Sequence, residues 1–229
     1  MENHLEYLKN IDLFSLLTDK ELEQINSKLA VKKFKKDEVI LHEEDTNEFM
    51  YIILSGKVKV IQTKESGKEI ILALHQAGDF FGEVSLIDGR TAPAMVLSSE
   101  DSIIALISKK DFFSLLYSQT KVLDILLQIL CTRLRESWDR IQILSFNNAS
   151  DRVKMLLILL SNEYGNKTKD GIKLNIKLTH QEIADMAGIA RETATRILDK
   201  WMKDGHLEMK ERLIFMNNGF LQNDISPIV

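Results

Sequence analysis

The stretch Leu178-Thr-His-Gln-Glu-Ile-Ala-Asp-Met-Ala-Gly-Ile-Ala-Arg-Glu-Thr-Ala-Thr-Arg-Ile-Leu-Asp-Lys-Trp201 constrains the fold more than any other part of this chain. Thr179 and Glu182 have capping-box spacing, so hydroxyl and carboxylate can satisfy free amides at the start of a helix over about Gln181 to Ala187. Gly188 supplies a turn, and a second helix is predicted from about Arg191 to Met202. That helix buries Ile197, Leu198 and Trp201 and leaves Arg191, Glu192, Thr195 and Arg196 on an exposed face near its N-terminus. Two short helices about a glycine turn form a helix-turn-helix, which places the start of its second helix in the DNA major groove. Arg offers a donor fork to guanine O6 and N7, and Glu accepts from cytosine N4. A hairpin follows, with Gly205 as the stop, Leu207 to Met209, a Lys210-Glu211-Arg212 turn and Leu213 to Met216, and it reads as a wing.

In front of this segment the hydrophobic period changes twice. Residues 1 to 30 have helical spacing, with Leu13, Leu16, Leu17, Leu22 and Ile25 on one side and Thr18 as a cap. From Val31 the period is two, giving strands at Val39 to Leu41, Met50 to Leu54, Lys57 to Ile61 and Glu69 to Leu74. Gly56, Gly67, Gly78, Gly82 and Gly89 punctuate them at intervals suited to an antiparallel barrel or roll. The fold class is therefore α+β.

Gly78 to Val96 interrupts the strands, and a helical turn at Glu83 to Ile87 can present backbone amides to an anion. Glycine turns of this kind are more often only turns. From Ser108 to Phe146 there is no glycine or proline, so one long helix is expected. On it Leu126, Leu130, Leu134, Ser137, Ile141 and Leu144 make a two-helix seam that predicts a homodimer. Phe146-Asn147-Asn148 is the hinge, with Asn148 capping a helix over Asp151 to Leu160.

Composition narrows the function. The net charge is −4, but residues 1–146 carry 18 basic and 23 acidic side chains against 12 and 11 in residues 147–229. DNA affinity must then come from a local basic face and from dimerisation rather than from bulk charge. One cysteine, Cys131, excludes an internal disulfide and an iron-sulfur cluster, and its helical setting suggests a buried packing residue rather than a redox sensor. No basic-apolar-small leader opens the chain and no run of about 18 apolar residues occurs, which implies a cytoplasmic protein without a membrane partner. No Ser-His-Asp order, metal-spaced His cluster or phosphate loop ending in Lys-Ser/Thr stands out, so the inventory does not favour an enzyme. A ligand-binding module without a DNA role, such as a kinase regulatory subunit, lacks any use for the helix-turn-helix.

Taken together, Tyr51-Ile-Ile-Leu-Ser-Gly-Lys-Val-Lys-Val60, Phe81-Gly-Glu-Val-Ser-Leu-Ile-Asp-Gly89, the long helix, Leu178-Thr-His-Gln-Glu-Ile and Arg191-Glu-Thr-Ala-Thr-Arg196 resemble the Crp/Fnr family of bacterial transcription regulators over about residues 10 to 217. The resemblance implies an effector-binding β-roll with its helical cover over 1–107, a dimerisation helix over 108–146, a winged DNA-binding domain over 147–217 and a polar tail over 218–229. It further implies an effector-gated homodimer that binds double-stranded promoter DNA and recruits or blocks RNA polymerase. The ligand at the junction of barrel and seam would shift the population of recognition-helix settings. Thr179, Gln181, Arg191, Glu192, Thr195 and Arg196 are then the DNA-binding set, reading a palindrome with TGTGA-like half-sites. The effector pocket falls on Gly82, Glu83, Val84, Ser85, Arg90, Thr91, Ser137 and Trp138, with Glu83 as the ribose-contacting acid. Ser137 and Trp138 stand where relatives reach the ligand's base.

The chain departs from that pattern at Ala92, where the family's phosphate-binding arginine belongs, so cyclic AMP is not the expected effector. Arg90 lies two positions earlier and is otherwise a solvated turn residue. A haem needs an axial ligand, for which His42, His75 and Cys131 are the candidates, although a strand-end role is the plainer reading of His75. Haem, nitric oxide, redox or cyclic-dinucleotide sensing, another small anion, or no ligand at all stay open. Ala190 stands where relatives place a serine that caps the recognition helix and touches a DNA phosphate.

Overall fold

Alternating residues in the front part of the chain become two four-stranded antiparallel sheets. The computed structural model describes residues 5–63 and 69–222, so Gly67 lies outside the described residues. The chain divides into two compact units, Met1–Arg133 and Leu134–Val229.

The first unit opens with α1 (Leu5–Lys9), a 3-10 turn at Asp12–Phe14 and α2 (Asp19–Asn26). Strands β1 (Ala30–Phe34), β2 (Val39–Leu41), β3 (Phe49–Ser55), β4 (Lys57–Thr63), β5 (Glu69–Gln76) and β6 (Phe80–Phe81) follow. After them come α3 (Glu83–Asp88), β7 (Met95–Ser98), β8 (Ser102–Ser108), α4 (Lys109–Ser118) and α5 (Thr120–Ser145), which runs past the unit boundary. The sheets have the orders β1-β8-β3-β6 and β2-β7-β4-β5. Strand β3 is buried along most of its length because both of its faces are covered. Met50, Ile52 and Leu54 face a core built with Leu8, Phe14, Leu22 and Phe112 from the helices, while Tyr51 and Ile53 pack with Leu41, Val58 and Val96 between the sheets. This is the β-roll that the strand spacing predicts.

Several expectations need correction. Leu16 is exposed, not part of the cover's apolar side, because Leu8, Ile11, Leu13 and Phe14 fill that place. The single long helix is two helices broken at Gln119, whose backbone leaves the helical region (φ −130°, ψ 83°). The break carries no glycine or proline. Its local mark is the polar run Ser118-Gln119-Thr120, of a kind that competes for backbone groups, and the Ser118 hydroxyl bonds back to the Leu115 carbonyl.

The second unit continues from the end of α5 into α6 (Ala149–Tyr164), capped by the Asn148 side chain on the Ser150 amide. Then come β9 (Gly165–Lys167), β10 (Gly171–Leu174), α7 (His180–Ala187), α8 (Arg191–Lys203), β11 (Leu207–Lys210), β12 (Leu213–Asn217) and α9 (Asn218–Gln222). The wing strands β11 and β12 join β10 and β9 in one sheet, a pair that lies in a polar stretch with no alternation to reveal it. The polar tail begins as α9, where Phe220 is buried edge-on against Trp201 with ring centroids 5.0 Å apart. Among the described residues no helix is long and apolar enough to cross a membrane.

Candidate nucleic-acid interface and barrel cradle

Both short helices of the second unit are set by their first and last residues. The Thr179 hydroxyl accepts the Glu182 amide at 3.1 Å, and Glu182 Oε2 accepts the Thr179 amide at 2.7 Å. Gly188 ends α7 in the left-handed region (φ 67°), which glycine enters without strain. Ala190 then holds the N-cap position of α8 with no side-chain cap bond. Ala194 and Leu198 form the buried stripe of α8, with Ile197 and Trp201 only partly buried.

Arg191, Glu192 and Arg196 are exposed, as the DNA-facing set requires. Thr195 is not fully open, because its Oγ1 makes a 2.9 Å hydrogen bond with His180 Nδ1. Gln181 is exposed and donates from Nε2 to Asp185 Oδ1 at 2.8 Å. The Thr179 hydroxyl is engaged by the capping box, so its side chain is a structural group first.

Beside this face lies an open groove of about 430 Å3 lined by Leu178, Thr179, His180, Gln181, Arg191, Met209 and Arg212. The wing turn brings Arg212 there: Glu211 (φ 54°) and Arg212 (φ 66°) occupy the two left-handed positions of a two-residue hairpin turn between Lys210 and Leu213. The Leu178 amide donates to the Arg212 carbonyl at 3.0 Å, which ties the turn to the segment before α7. The groove lining carries two guanidinium groups and no carboxylate. Sequence reading missed His180 and Arg212 as members of this site; the short Lys-Glu-Arg turn was the signal for the second.

The barrel cradle has the opposite character. Gly82 takes φ 87° directly before α3, and a Cβ there would lie 2.9 Å from the Phe49 carbonyl oxygen. Buried Asn47 fixes the turn, donating to the Gly82 carbonyl at 2.9 Å and to Ser85 Oγ at 3.1 Å while its own Oδ1 accepts the Phe49 amide. Glu83 is buried, and such a carboxylate needs a partner. It has Arg133, whose Nη1 donates to Glu83 Oε1 at 2.6 Å and whose Nη2 donates to the Phe80 carbonyl at 2.7 Å. The guanidinium also sits 4.6 Å from the centre of the Phe80 ring.

The remaining proposed pocket residues differ in exposure and are divided between the two units. Val84, Arg90 and Thr91 are exposed, whereas Ser85 is buried. Ser137 and Trp138 are exposed on the part of α5 that belongs to the second unit. Ala92 is 1% exposed in the core between the sheets. Its amide donates to the Asp45 carbonyl and its carbonyl accepts from Glu44, both at 2.9 Å. An arginine introduced at this site would therefore have to displace core atoms before reaching any phosphate. A cyclic phosphate thus finds no guanidinium at position 92, and the acid at position 83 is already paired.

His75 stacks on Phe81 at 6.5 Å, and its Nδ1 lies 3.9 Å from Asp79 Oδ2. Burial pushes the Asp79 carboxyl above its usual range. His42 is exposed on the surface.

Along α5 the seam shifts by one residue at its start. Leu126 is 1% exposed and belongs to the helix-side core of the first unit, whereas Leu127 is 53% exposed. Replacing Leu126 by Leu127 gives Leu127, Leu130, Leu134, Ser137, Ile141 and Leu144, with spacings that alternate between three and four. Cys131 is exposed beside this stripe, which corrects its reading as a buried packing residue.

Comparison with known proteins agrees with both halves. Residues 31–119 match the cyclic nucleotide-binding domain family, and residues 151–221 match the Crp-like helix-turn-helix domain family. The cAMP-activated global transcriptional regulator CRP of Pasteurella multocida is 34% identical over 191 residues, covering 82% of this chain and 90% of that protein. The cyclic AMP receptor protein of Thermus thermophilus is 27% identical over 219 residues, covering 96% and 98% respectively. Among solved structures, FixK2 from Bradyrhizobium japonicum is alike in fold, with a TM-score of 0.74 at 22% identity over 86% of this chain and 98% of that one.

Proposed function

Because the chain belongs to the Crp/Fnr family of DNA-binding transcription regulators, we propose that it acts as an effector-gated homodimer on palindromic promoter DNA with TGTGA-like half-sites. The observation that carries this reading is the exposure of Arg191, Glu192 and Arg196 together on the N-terminal half of α8. Arg pairs bidentately with guanine and Glu accepts from cytosine, so this set can read a G·C-containing half-site in the major groove. Gln181 and Arg212 line the adjoining groove and would hold the phosphate backbone, which positions the helix without reading bases, while Thr179 caps α7 beside them.

The dimer is proposed on the exposed stripe of α5, whose alternating spacing is that of a two-stranded seam. Two recognition helices would then sit about 34 Å apart, in successive major grooves. On this reading residues 1–107 hold the effector-binding roll, 108–146 the dimerisation segment and 147–217 the DNA-binding domain. RNA polymerase is the partner on DNA, and the cytoplasm is the place of action.

The Pasteurella relative is described as cAMP-activated, but Ala92 and the closed Glu83–Arg133 pair argue against the same effector in this chain. We propose an effector of another kind, acting by population shift on the gated dimer.

Selection from random duplexes followed by mobility shift tests the proposal. It should recover a palindrome bound by two chains. Arg196→Ala should cost about 1–3 kcal/mol on that palindrome and much less on scrambled DNA. Equal losses on both would remove Arg196 from the base edges.

A further inference from the structure

Thr195 occupies the middle of the reading face of α8. At 100° per residue it lies roughly 40° around the helix from Arg191 and roughly 60° from Glu192, between the two. A hydroxyl there would be expected to bond with a base. Its oxygen is already engaged, however, 2.9 Å from Nδ1 of His180 on the neighbouring helix α7. In an isolated helix a threonine hydroxyl turns back to the carbonyl one turn earlier; here α7 supplies a partner. Threonine is β-branched, so fixing the oxygen also fixes the methyl group. That methyl is what Thr195 has left to offer a molecule docked on Arg191 and Glu192.

In the major groove an apolar group of this size has a natural counterpart, the C5 methyl of thymine. We propose that His180 is a specificity-determining positioning residue: by holding the Thr195 hydroxyl it makes Thr195 a methyl reader, selecting a T·A pair beside those read by Arg191 and Glu192. The inference rests on the major-groove docking of α8 proposed above. His180 also lines the groove with Arg191 and Arg212, so it is held against the same DNA-facing surface.

The probe is the selected palindrome with each thymine replaced in turn by deoxyuridine, which keeps every base-pairing group and removes one methyl. For the wild-type chain, one replacement per half-site should weaken binding about fourfold, the value of one buried methyl. Thr195→Val, which carries a methyl on both branches of Cβ and so needs no anchoring by His180, should retain that sensitivity. Thr195→Ser, which keeps the hydroxyl, should lose it. His180→Ala should blunt it at that position alone while the preference at the other base pairs of the palindrome is kept, an outcome that loss of fold would not give. A flat deoxyuridine scan in the wild type would overturn the inference, as would retention by Thr195→Ser with loss by Thr195→Val. Failure of the underlying DNA reading would look different: no preference for the palindrome over scrambled DNA, which removes the inference with its premise.

Discussion

In the first unit the polar side chains at the cradle are consumed by the chain itself, whereas in the second unit the corresponding groups on α8 are left for a partner. Glu83 is closed by Arg133, Ser85 by Asn47, and Ala92 carries only a methyl group into the core. On α8, Arg191, Glu192 and Arg196 face outward, and the internal bonds around them, Thr179 with Glu182 and His180 with Thr195, serve to place the helix. The contrast separates two kinds of site within one family fold. One unit leaves Arg191, Glu192 and Arg196 exposed, and the other ties Glu83 and Ser85 into intramolecular bonds. Family membership alone therefore transfers DNA binding far better than it transfers the effector.

The largest effect that can break this contrast lies in the cradle. Arg133→Ala leaves the Glu83 carboxylate buried without its partner, which should cost about 3–5 kcal/mol in urea unfolding, and Glu83→Gln in the same chain should recover much of it. A loss below about 1 kcal/mol would mean that the pair is open to solvent and free for a ligand. Next, Asn47→Ala should cost about 1–3 kcal/mol, because the Phe49 amide and the Gly82 carbonyl each lose a partner. If Asn47→Ala melts like the wild type, the cradle is not held from within.

The recognition side should respond to gain rather than loss. Ala190→Ser supplies the missing cap of α8 and should add about 0.5–2 kcal/mol of stability, with equally tighter binding to all DNA sequences. Unchanged melting and unchanged affinity would place the helix start elsewhere. The smallest effect concerns Asp79, whose carboxyl is raised by burial although its side chain keeps 39% of its surface exposed. A raised carboxyl favours the fold at pH below its unfolded value, and that contribution is lost as pH rises through its folded value. Asp79→Asn should therefore melt slightly higher than wild type near neutral pH, with the gain shrinking as the pH falls into the ordinary carboxylate range. A gain that grows on acidification would reverse the sign.

Legibility followed sequence distance. The capping box of Thr179 and Glu182, the Gly188 turn and the wing turn are set by neighbours within a few residues, so the second unit could be read almost directly. The cradle could not, because Asn47 and Arg133 lie 35 and 50 residues from the groups they hold. No local pattern distinguishes Arg133 from other helix charges. Leu126 and Leu127 failed for a different reason. Both are leucines on an apolar helix, and only packing against the core says which one remains outside. Strands β9 and β10 lack alternation and gain their identity from pairing with each other and, for β10, with β12. Thr195 shares its side of α8 with Arg191 and Glu192 by helical spacing, but its bond to His180 spans two helices and leaves no trace in periodicity.

The contrast between an open recognition face and a closed cradle is tested most directly by one titration. The full chain is added to fluorescent palindromic and scrambled duplexes, with and without saturating cyclic AMP, and the ratio of the two affinities is read. The expected result is a preference for the palindrome that cyclic AMP changes by no more than about twofold. A tightening of about tenfold or more, a coupling of roughly 1.4 kcal/mol, would contradict it and show that the cradle opens to that ligand despite Ala92 and the Glu83–Arg133 pair.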